Sequence, residues 1–198
     1  MIDINCDMGE IDELLDNGTY EALMSCVTSI NVACGAHAGD ERMMRTMVKL
    51  AKKKNVKIGA HPSYPDRENF GRFDLDISDE ELTSSISDQI ACLINIAAEQ
   101  NCSISHIKPH GALYNSAARN EKLATLIGDV IKSIDPSLPI MCLAGSQMVK
   151  TLKSMGMKVL PESFADRTYE PDGSLRKRTY SNALIEDPQV SSLQAYNI

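Results

Sequence analysis

Short apolar runs alternate with amphipathic segments along most of the chain, and this alternation restricts the fold more than any other feature. The runs are rich in β-branched residues, as buried strands are, whereas the segments between them repeat apolar residues about every 3.6 positions, as helices do. The predicted strands occupy residues 2–6, 28–32, 56–60, 103–107, 139–143 and 157–160. The pattern indicates parallel strands joined by helical crossovers, and we expect one α/β domain over residues 1–198.

Two architectures are compatible with this alternation, an open doubly wound sheet and a closed barrel. No G-x-G-x-x-G motif follows the first predicted strand, which disfavours a dinucleotide-binding open sheet. Six strands are too few for a regular eight-stranded barrel, which typically needs about 250 residues. We therefore expect a smaller, distorted or incomplete β/α barrel with mostly parallel strands, which lacks its last units. Both architectures place ligand sites at the carboxyl ends of the strands.

Two of the predicted helices begin with clear capping signals. Asp40 precedes a helical segment, and Ser78 with Glu81 has the spacing of a capping box. An irregular helix is predicted over residues 11–25, with a turn near its middle. Met43 and Met47 belong to a stripe on the helix after Asp40, which we interpret as core rather than as a cofactor site.

Charge and composition exclude several classes of protein. The net charge of −7 disfavours nucleic acids and anionic membrane surfaces, because both select basic proteins. No apolar run approaches the roughly 18 residues of a membrane span, and the first residues lack the pattern of a signal peptide. The six cysteines are dispersed without a C-x-x-C pair. We therefore expect free thiols and a cytoplasmic location.

Polar side chains follow nearly every predicted strand. They are Asp7, Glu10, His37, Asp40, His61, Asp66, Arg67, Lys108, His110, Glu162, Asp166 and Arg167. Three of the four histidines are among them, and the fourth, His106, lies inside the fourth predicted strand. The loop after the third strand contains Pro62 and Pro65, which make it stiff enough to hold reacting groups. The sequence therefore predicts a polar active site at this end of the sheet.

Two chemistries are compatible with these residues. Asp7 and two of His37, His61 and His110 can bind a divalent metal that activates water. Without a metal, a carboxylate or a histidine can act as general base while Lys108 or an arginine stabilises an oxyanion. The spacing does not decide between them. A purely structural reading is also open, in which the loop is a surface turn and His110 only caps a helix.

A phosphate-binding loop is not evident. Residues 145–151 (GSQMVKT) approach the motif, but Val149 stands where its second glycine is required. We expect that this chain does not bind ATP by such a loop.

Five segments in order resemble the LamB/YcsF family. They are residues 3–10 (DINCDMGE), 31–40 (NVACGAHAGD), 59–66 (GAHPSYPD), 108–114 (KPHGALY) and 164–167 (FADR), and the likeness extends over about residues 1–188. The resemblance implies a distorted β/α barrel of the glycoside hydrolase/deacetylase type. It also implies the A subunit of the bacterial ATP-dependent 5-oxoprolinase, which opens 5-oxoproline to L-glutamate with its B and C subunits. ATP would then be bound by a partner subunit, and the need for a divalent metal stays open.

The resemblance also implies roles for individual residues. Expected catalytic residues are Asp7, His61, His110 and Lys108, and expected substrate-binding residues are Asn5, His37, Arg67, Tyr114, Asp166 and Arg167. If a metal is bound, the expected ligands are Asp7, His37 and His61.

The chain departs from the family pattern near its end. Members usually continue with a further strand and helix that carry a His-Gly-Asp segment, whereas residues 189–198 contain no such motif. We expect either a truncated copy or a different C-terminus, with consequences for barrel closure. Two other functions stay open, a stand-alone metal-dependent deacetylase or amidohydrolase and a non-catalytic subunit that binds substrate for its partners.

The scatter of the cysteines gives a first testable prediction. Thiol titration of the denatured protein without reductant should detect six free groups, because no pair is positioned by a recognisable motif. Four or fewer free thiols would contradict it.

Overall fold

The computed structural model describes residues 2–197, and within them six strands form one sheet whose neighbouring strands are all parallel. The strands are β1 (Asn5–Met8), β2 (Ser29–Ala33), β3 (Lys57–His61), β4 (His106–Ile107), β5 (Ile140–Leu143) and β6 (Val159–Glu162). Their order in the sheet is their order in the chain. A doubly wound sheet reverses its strand order at a switch point, so this alternative is excluded.

Helices connect the successive parallel strands of the curled sheet. They are α1 (Asp12–Asp16), α2 (Thr19–Leu23), α3 (Glu41–Lys54), α4 (Asp79–Glu99), α5 (Gly111–Ala117), α6 (Glu121–Ile134), α7 (Gln147–Ser154) and α8 (Pro188–Asn197). Crossovers of one hand that always advance in the same direction place the helices on one face. The result is a curled half-barrel, which confirms the expectation of an incomplete β/α barrel with parallel strands.

Side chains from the two ends of the sheet meet inside the curl. Asn5 on β1 and Glu162 on β6 are hydrogen-bonded, with 3.2 Å between Nδ2 and Oε2. Lys108, immediately after β4, places its ammonium group between them, 3.1 Å from Asn5 Oδ1 and 3.2 Å from Glu162 Oε2. Lys108 is only 4% exposed, so the concave side of the sheet has a buried charged centre.

The predicted helix starts and core stripe are confirmed. The Asp40 side chain accepts a hydrogen bond from the Met43 backbone N–H of α3, and Ser78 with Glu81 forms a complete capping box on α4. Met43 and Met47 are buried in the main core. These methionines therefore pack α3 against the sheet.

The strand boundaries differ from the prediction by at most three residues. β1 includes Asp7 and β6 includes Glu162, although both were expected to follow their strands. Their side chains reach the polar interior of the curl, so a polar residue does not mark the end of a strand here. The irregular helix predicted over residues 11–25 is two short helices, separated at Gly18, whose φ of 78° is left-handed.

All six cysteines have free thiols, as predicted. Cys34 and Cys142 are buried. Among residues 2–197, no helix combines the length and the apolar character that crossing a membrane requires.

Gly59 makes room for His106 in the middle of the sheet. The two residues are paired on adjacent strands β3 and β4. A Cβ at position 59 would lie 2.2 Å from His106 Nε2, which is far inside van der Waals contact. The ring cannot swing away without losing its hydrogen bonds to Ser105 and Asn31. Glycine is therefore required at this position of an otherwise ordinary strand.

Gly59→Ala should lower the free energy of unfolding by about 3 kcal/mol, the upper part of the usual cost of overpacking a core. Gly128→Ala on α6 is the matched control, because its new Cβ would meet only the flexible ends of Leu152 and Met155. Alanine also favours a helix interior by about 1 kcal/mol over glycine, so we expect little net change at position 128. Urea unfolding of both variants measures the difference, and equal stabilities would contradict the packing argument.

Candidate active site

Side chains from four successive strand ends converge on the concave side of the sheet. Glu10, His37, His61 and His110 each offer one ligand atom, and these atoms all lie within 4.8 Å of one another. Asp7 joins them through its Oδ2, which is 3.4 Å from His61 Nε2. The convergence of Asp7 and the three histidines follows the prediction from the strand ends.

The outer ring nitrogens of two histidines are fixed by backbone carbonyls. His61 Nδ1 lies 2.6 Å from Lys108 O, and His110 Nε2 lies 3.0 Å from Phe70 O. A carbonyl oxygen only accepts, so both of these nitrogens carry a proton. The inner nitrogens, His61 Nε2 and His110 Nδ1, face each other at 2.9 Å. If both rings were neutral, the lone pairs of these two nitrogens would point at each other. One proton or one cation must therefore lie between the two nitrogens.

The surrounding charges assign a shared proton to His61. Burial is the largest single effect and opposes the charged ring, but the charge and hydrogen bond of Asp7, together with the Glu10 charge, raise the pKa of His61 above its ordinary value. Burial and the neighbouring His61 charge lower the pKa of His110 to about 3. Burial also disfavours ionised Asp7, but His61 and Lys108 hold its pKa well below the usual range. His61 is therefore cationic, and His110 is a neutral acceptor.

His37 and Glu10 complete the cluster. The ring of His37 stacks on that of His110 at 3.8 Å between centroids, and its Nε2 is 3.1 Å from Glu10 Oε1. Burial, and next the His61 charge, lower the pKa of His37 to about 3. Burial raises the pKa of the Glu10 carboxyl, which also approaches His110 Nδ1 at 3.5 Å. Glu10 is thus the more readily protonated of the two site carboxylates.

A strained turn supplies the carbonyl that orients His110. Phe70 has a φ of 58°, which is uncommon for a bulky residue. Gly71 follows with a φ of 63°, and a Cβ on Gly111 would lie 2.4 Å from Gly71 O. The Gly71 carbonyl therefore lies so close to the start of α5 that any side chain at position 111 would clash with it. Strain of this kind is typical of functional sites, where the surrounding structure holds it in place.

Lys108 has two carboxylate partners. Its Nζ lies 3.4 Å from Asp7 Oδ1 and 3.2 Å from Glu162 Oε2, and it stands 5.1 Å from the centroid of the Phe164 ring. Burial opposes its charge, but Asp7 and Glu162 raise its pKa. The main causes that keep His110 neutral are burial and His61 rather than the Lys108 charge.

A buried network behind Asp7 fixes the orientation of its carboxylate. Asn31 donates from Nδ2 to Asp7 Oδ1 at 2.9 Å and to Asn5 Oδ1 at 2.7 Å. Its own Oδ1 therefore accepts, and the partner is His106 Nε2 at 2.7 Å. Burial lowers the pKa of His106 to about 4, so its Nδ1 stays free to accept from the Ser105 hydroxyl at 2.9 Å.

The other predicted site residues lie in different places. Asn5 joins the network at Lys108, whereas Tyr114 is buried on α5 near Phe164. Arg67 donates to the carbonyls of Gly35 and Gly39 and so holds the loop after β2.

Arg167 donates to the carbonyls of Ala183 and Arg176, and Asp166 is exposed. Both residues belong to the C-terminal segment, and neither is hydrogen-bonded to the histidine cluster. Their substrate-binding roles stay predictions.

Two residues of the site, Asn31 and Phe70, were not among the candidates, and Glu10 and Glu162 were candidates without an assigned role. Glu10 and Glu162 stand at strand ends, where the pattern itself flags them. Asn31 interrupts a fully buried strand with an amide, which is a recognisable signal for a buried polar network. Nothing in the sequence marks the left-handed backbone of Phe70.

Fold and site together define a class: parallel β/α half-barrels whose strand ends hold a compact histidine and carboxylate centre. The sequence model that describes the LamB/YcsF family matches residues 2–198 of this chain. The chain belongs to this family.

Relatives and a solved structure extend the comparison. The A subunit of 5-oxoprolinase from Tolumonas auensis is 43% identical over 193 residues, which are 98% of this chain and 77% of that protein. The protein of the same name from Clostridium beijerinckii is 42% identical over 190 residues, 96% and 74% of the two chains. A lactam utilization protein from Thermus thermophilus superposes with a TM-score of 0.91 at 34% identity, covering 99% and 79% of the two chains.

The buried histidines predict a loss of stability in mild acid. The pKa values of His37, His106 and His110 are lowered to about 3, 4 and 3. Below the ordinary histidine value of about 6.5 the unfolded chain takes up protons that the folded chain refuses, so stability falls as the pH drops toward 4. His61, with its raised pKa, contributes in the opposite sense, and that contribution is lost only as the pH rises through its folded value.

Each histidine that is protonated only in the unfolded chain changes the free energy of unfolding by about 1.4 kcal/mol per pH unit. The three histidines together therefore change it by at most about 4 kcal/mol per unit. Urea unfolding with a chelator at pH 7, 6 and 5 measures the slope. His106→Gln should reduce the slope by about a third, one of three refused protons. Identical stability at pH 7 and pH 5 would contradict the protonation states assigned here.

Proposed function

We propose that this chain is the hydrolytic subunit of an ATP-dependent 5-oxoprolinase, which opens 5-oxoproline to L-glutamate. The observation that carries the proposal is the 2.9 Å contact between His61 Nε2 and His110 Nδ1, with carboxylate oxygens of Asp7 and Glu10 at 3.4 and 3.5 Å from these nitrogens. A relative that is 43% identical over nearly the whole chain carries the name of the A subunit of 5-oxoprolinase.

The reaction needs the groups that this site contains. A five-membered lactam is a resonance-stabilised amide, and phosphorylation of its oxygen by ATP would activate the ring carbon. One water oxygen then bonds to that carbon, and the carbon–nitrogen bond breaks while the nitrogen takes a proton. A second water releases the phosphate. The hydrolytic step therefore needs a base, a proton donor and a cation near the developing oxyanion.

We assign these roles from charge and position. Glu10, whose pKa is raised by burial, accepts the proton of the attacking water. Cationic His61, held by Asp7 and Lys108 O, is positioned to return a proton to the ring nitrogen. Lys108 supplies fixed positive charge at the oxyanion. His110 keeps His61 Nε2 oriented and shares its proton.

Partner subunits would supply the ATP-dependent step. The relatives are named as one lettered subunit of an enzyme, which implies that those proteins work with other subunits. We propose that the B and C subunits bind ATP and activate the lactam. This chain alone should not hydrolyse ATP.

The same cluster also suits a divalent metal, which supports a metal-dependent amidohydrolase as a second candidate. Two or three imidazoles and a carboxylate form a common zinc donor set, and Glu10, His37, His61 and His110 bring such atoms within 4.8 Å. Asp7 would then orient His61. A metal there would lower the pKa of a bound water.

Asp7→Asn and Glu10→Gln should each lower ATP-dependent ring opening by the complex with its partner subunits by about 10²–10⁴-fold. Asp12→Asn, an exposed carboxylate on α1, is the matched control and should keep wild-type turnover. Melting temperatures of all three variants separate catalysis from folding. A stable Glu10→Gln protein with more than about a tenth of wild-type turnover would remove Glu10 as the base.

His110→Ala tests the shared proton. It leaves His61 Nε2 without its neutral acceptor, so we expect a turnover loss of about 10²–10⁴-fold with a folded protein. Substrate binding that weakens while turnover per bound substrate stays unchanged would favour a non-catalytic binding subunit.

Metal removal separates the two enzymatic candidates. Under the main proposal, a complex stripped of tightly bound metal by a chelator keeps ring opening when MgATP is then supplied, and the pure chain is inactive with or without ATP. Lactam or acetamide hydrolysis by the pure chain that needs no ATP, disappears with chelator and returns with Zn²⁺ would establish the second candidate instead.

A further inference from the structure

Three arginines that form no ion pair within residues 2–197 make up a cationic group next to the histidine cluster. They are Arg72, in the strained turn after β3, and Arg167 and Arg178 of the C-terminal segment. The arginines that do form ion pairs in that part of the chain are Arg42, Arg45 and Arg176. The chain has a net charge of −7, so carboxylates are plentiful. Arginines left unpaired in such a protein favour an anion as ligand.

The charges of the three arginines act on one another. Burial, and next the Arg178 charge, lower the pKa of Arg72, and the same two causes lower the pKa of Arg167. Arg167 is only 6% exposed, and its guanidinium donates to the carbonyls of Ala183 and Arg176. It therefore holds the segment that carries Arg178. Arg72 and Arg178 are exposed, so their guanidinium groups can meet a ligand.

The Phe70 ring connects Arg72 to the histidine cluster. The guanidinium carbon of Arg72 lies 4.8 Å from the centroid of this ring. The same ring is edge-on to His37 at 5.4 Å and to His110 at 5.5 Å between centroids. Burial raises the pKa of Glu10, and the Arg72 charge is among those that oppose the rise. One phenyl ring therefore separates this cation from the histidines, and its field reaches the proposed base.

A row of contacts runs from Lys108 through the cluster to Arg72. The contacting pairs are Lys108 with Asp7, Asp7 with His61, His61 with His110, His110 with Phe70 and Phe70 with Arg72. In the proposed reaction the lactam oxygen faces Lys108 and the ring nitrogen faces His61. The carboxylate of 5-oxoproline is attached to the ring carbon next to that nitrogen, on the side away from the oxygen. The carboxylate therefore points toward Arg72.

We infer that Arg72 and Arg178 bind the carboxylate of 5-oxoproline and so select this lactam over rings without the acid group. The inference rests on the proposed function for the identity and the orientation of the ring. A guanidinium presents two parallel N–H donors that match the two oxygens of a carboxylate. Activation by ATP would place phosphate on the lactam oxygen, at the Lys108 end. The carboxylate is therefore the anion that reaches Arg72.

Binding of two lactams to the isolated chain tests the inference. The probes are 5-oxoproline and 2-pyrrolidinone, which is the same ring without the carboxylate. The wild-type chain should bind 5-oxoproline at least about tenfold more tightly, because hydrogen bonds to a charged group have an effect of this order. Chemical-shift titration measures both affinities, and inorganic phosphate is titrated as a third probe.

Arg72→Gln and Arg178→Gln should each weaken the binding of 5-oxoproline by about tenfold and leave the binding of 2-pyrrolidinone unchanged. Glutamine removes the charge and the two parallel donors but keeps a polar side chain. Lys150→Gln is the matched control, because it removes one positive charge from an exposed position on α7. This variant should keep the wild-type preference for 5-oxoproline. Melting temperatures check that all three variants are folded.

The outcomes separate this inference from the proposed function. Equal affinities of the wild type for the two lactams, no binding of 5-oxoproline, or a preference that survives either arginine substitution would each overturn the carboxylate site. An active complex would then leave the proposed reaction standing. Inorganic phosphate that binds more tightly than 5-oxoproline and loses affinity in Arg72→Gln would also overturn the carboxylate site, and would assign the arginines to the phosphate of the activated lactam. Arg72-dependent binding of 5-oxoproline, together with a complex that never opens the ring, would leave the site standing and overturn the proposed reaction.

Discussion

The rest of the structure depends on the ion pairs that the buried ammonium group of Lys108 forms with Asp7 and Glu162. This group stands on the concave side of the sheet, between carboxylates from the first and the last strand. A buried lysine is tolerated only when it is paired, and each of its partners comes from a different edge of the sheet. The curl, the charge balance and the position of the candidate active site are therefore one arrangement.

On the Asp7 side of this charge, hydrogen bonds leave few choices of protonation. Backbone carbonyls accept hydrogen bonds from the outer nitrogens of His61 and His110, and Asn31 donates one to an oxygen of Asp7. Burial lowers the pKa of each of these histidines, and the Asp7 charge then favours the proton on His61 over His110. The fold thereby prepares proton donors and acceptors before any substrate arrives, and such preorganisation is a main source of catalytic power.

Much of this was readable from the sequence, because strand and helix alternate and parallel strands share one functional end. The strand-end positions of Asp7, His37, His61 and His110 were enough to predict their convergence. Contacts between residues that are distant in the sequence could not be predicted from it. Periodicity says nothing about Asn5 meeting Glu162, and no local rule reveals that Phe70 adopts a left-handed backbone. Those features depend on how tightly the sheet curls.

The contact between Asn5 and Glu162 also bears on how the chain folds. It joins positions 157 residues apart, so its formation carries a large entropic cost of loop closure. Until β6 arrives, Lys108 has only the N-terminal strand to balance its charge. During synthesis the first strands can assemble as the chain emerges, but the interior reaches electrostatic balance only when the sixth strand is in place. Docking of β6 thus brings in the second carboxylate that balances Lys108 at the candidate site.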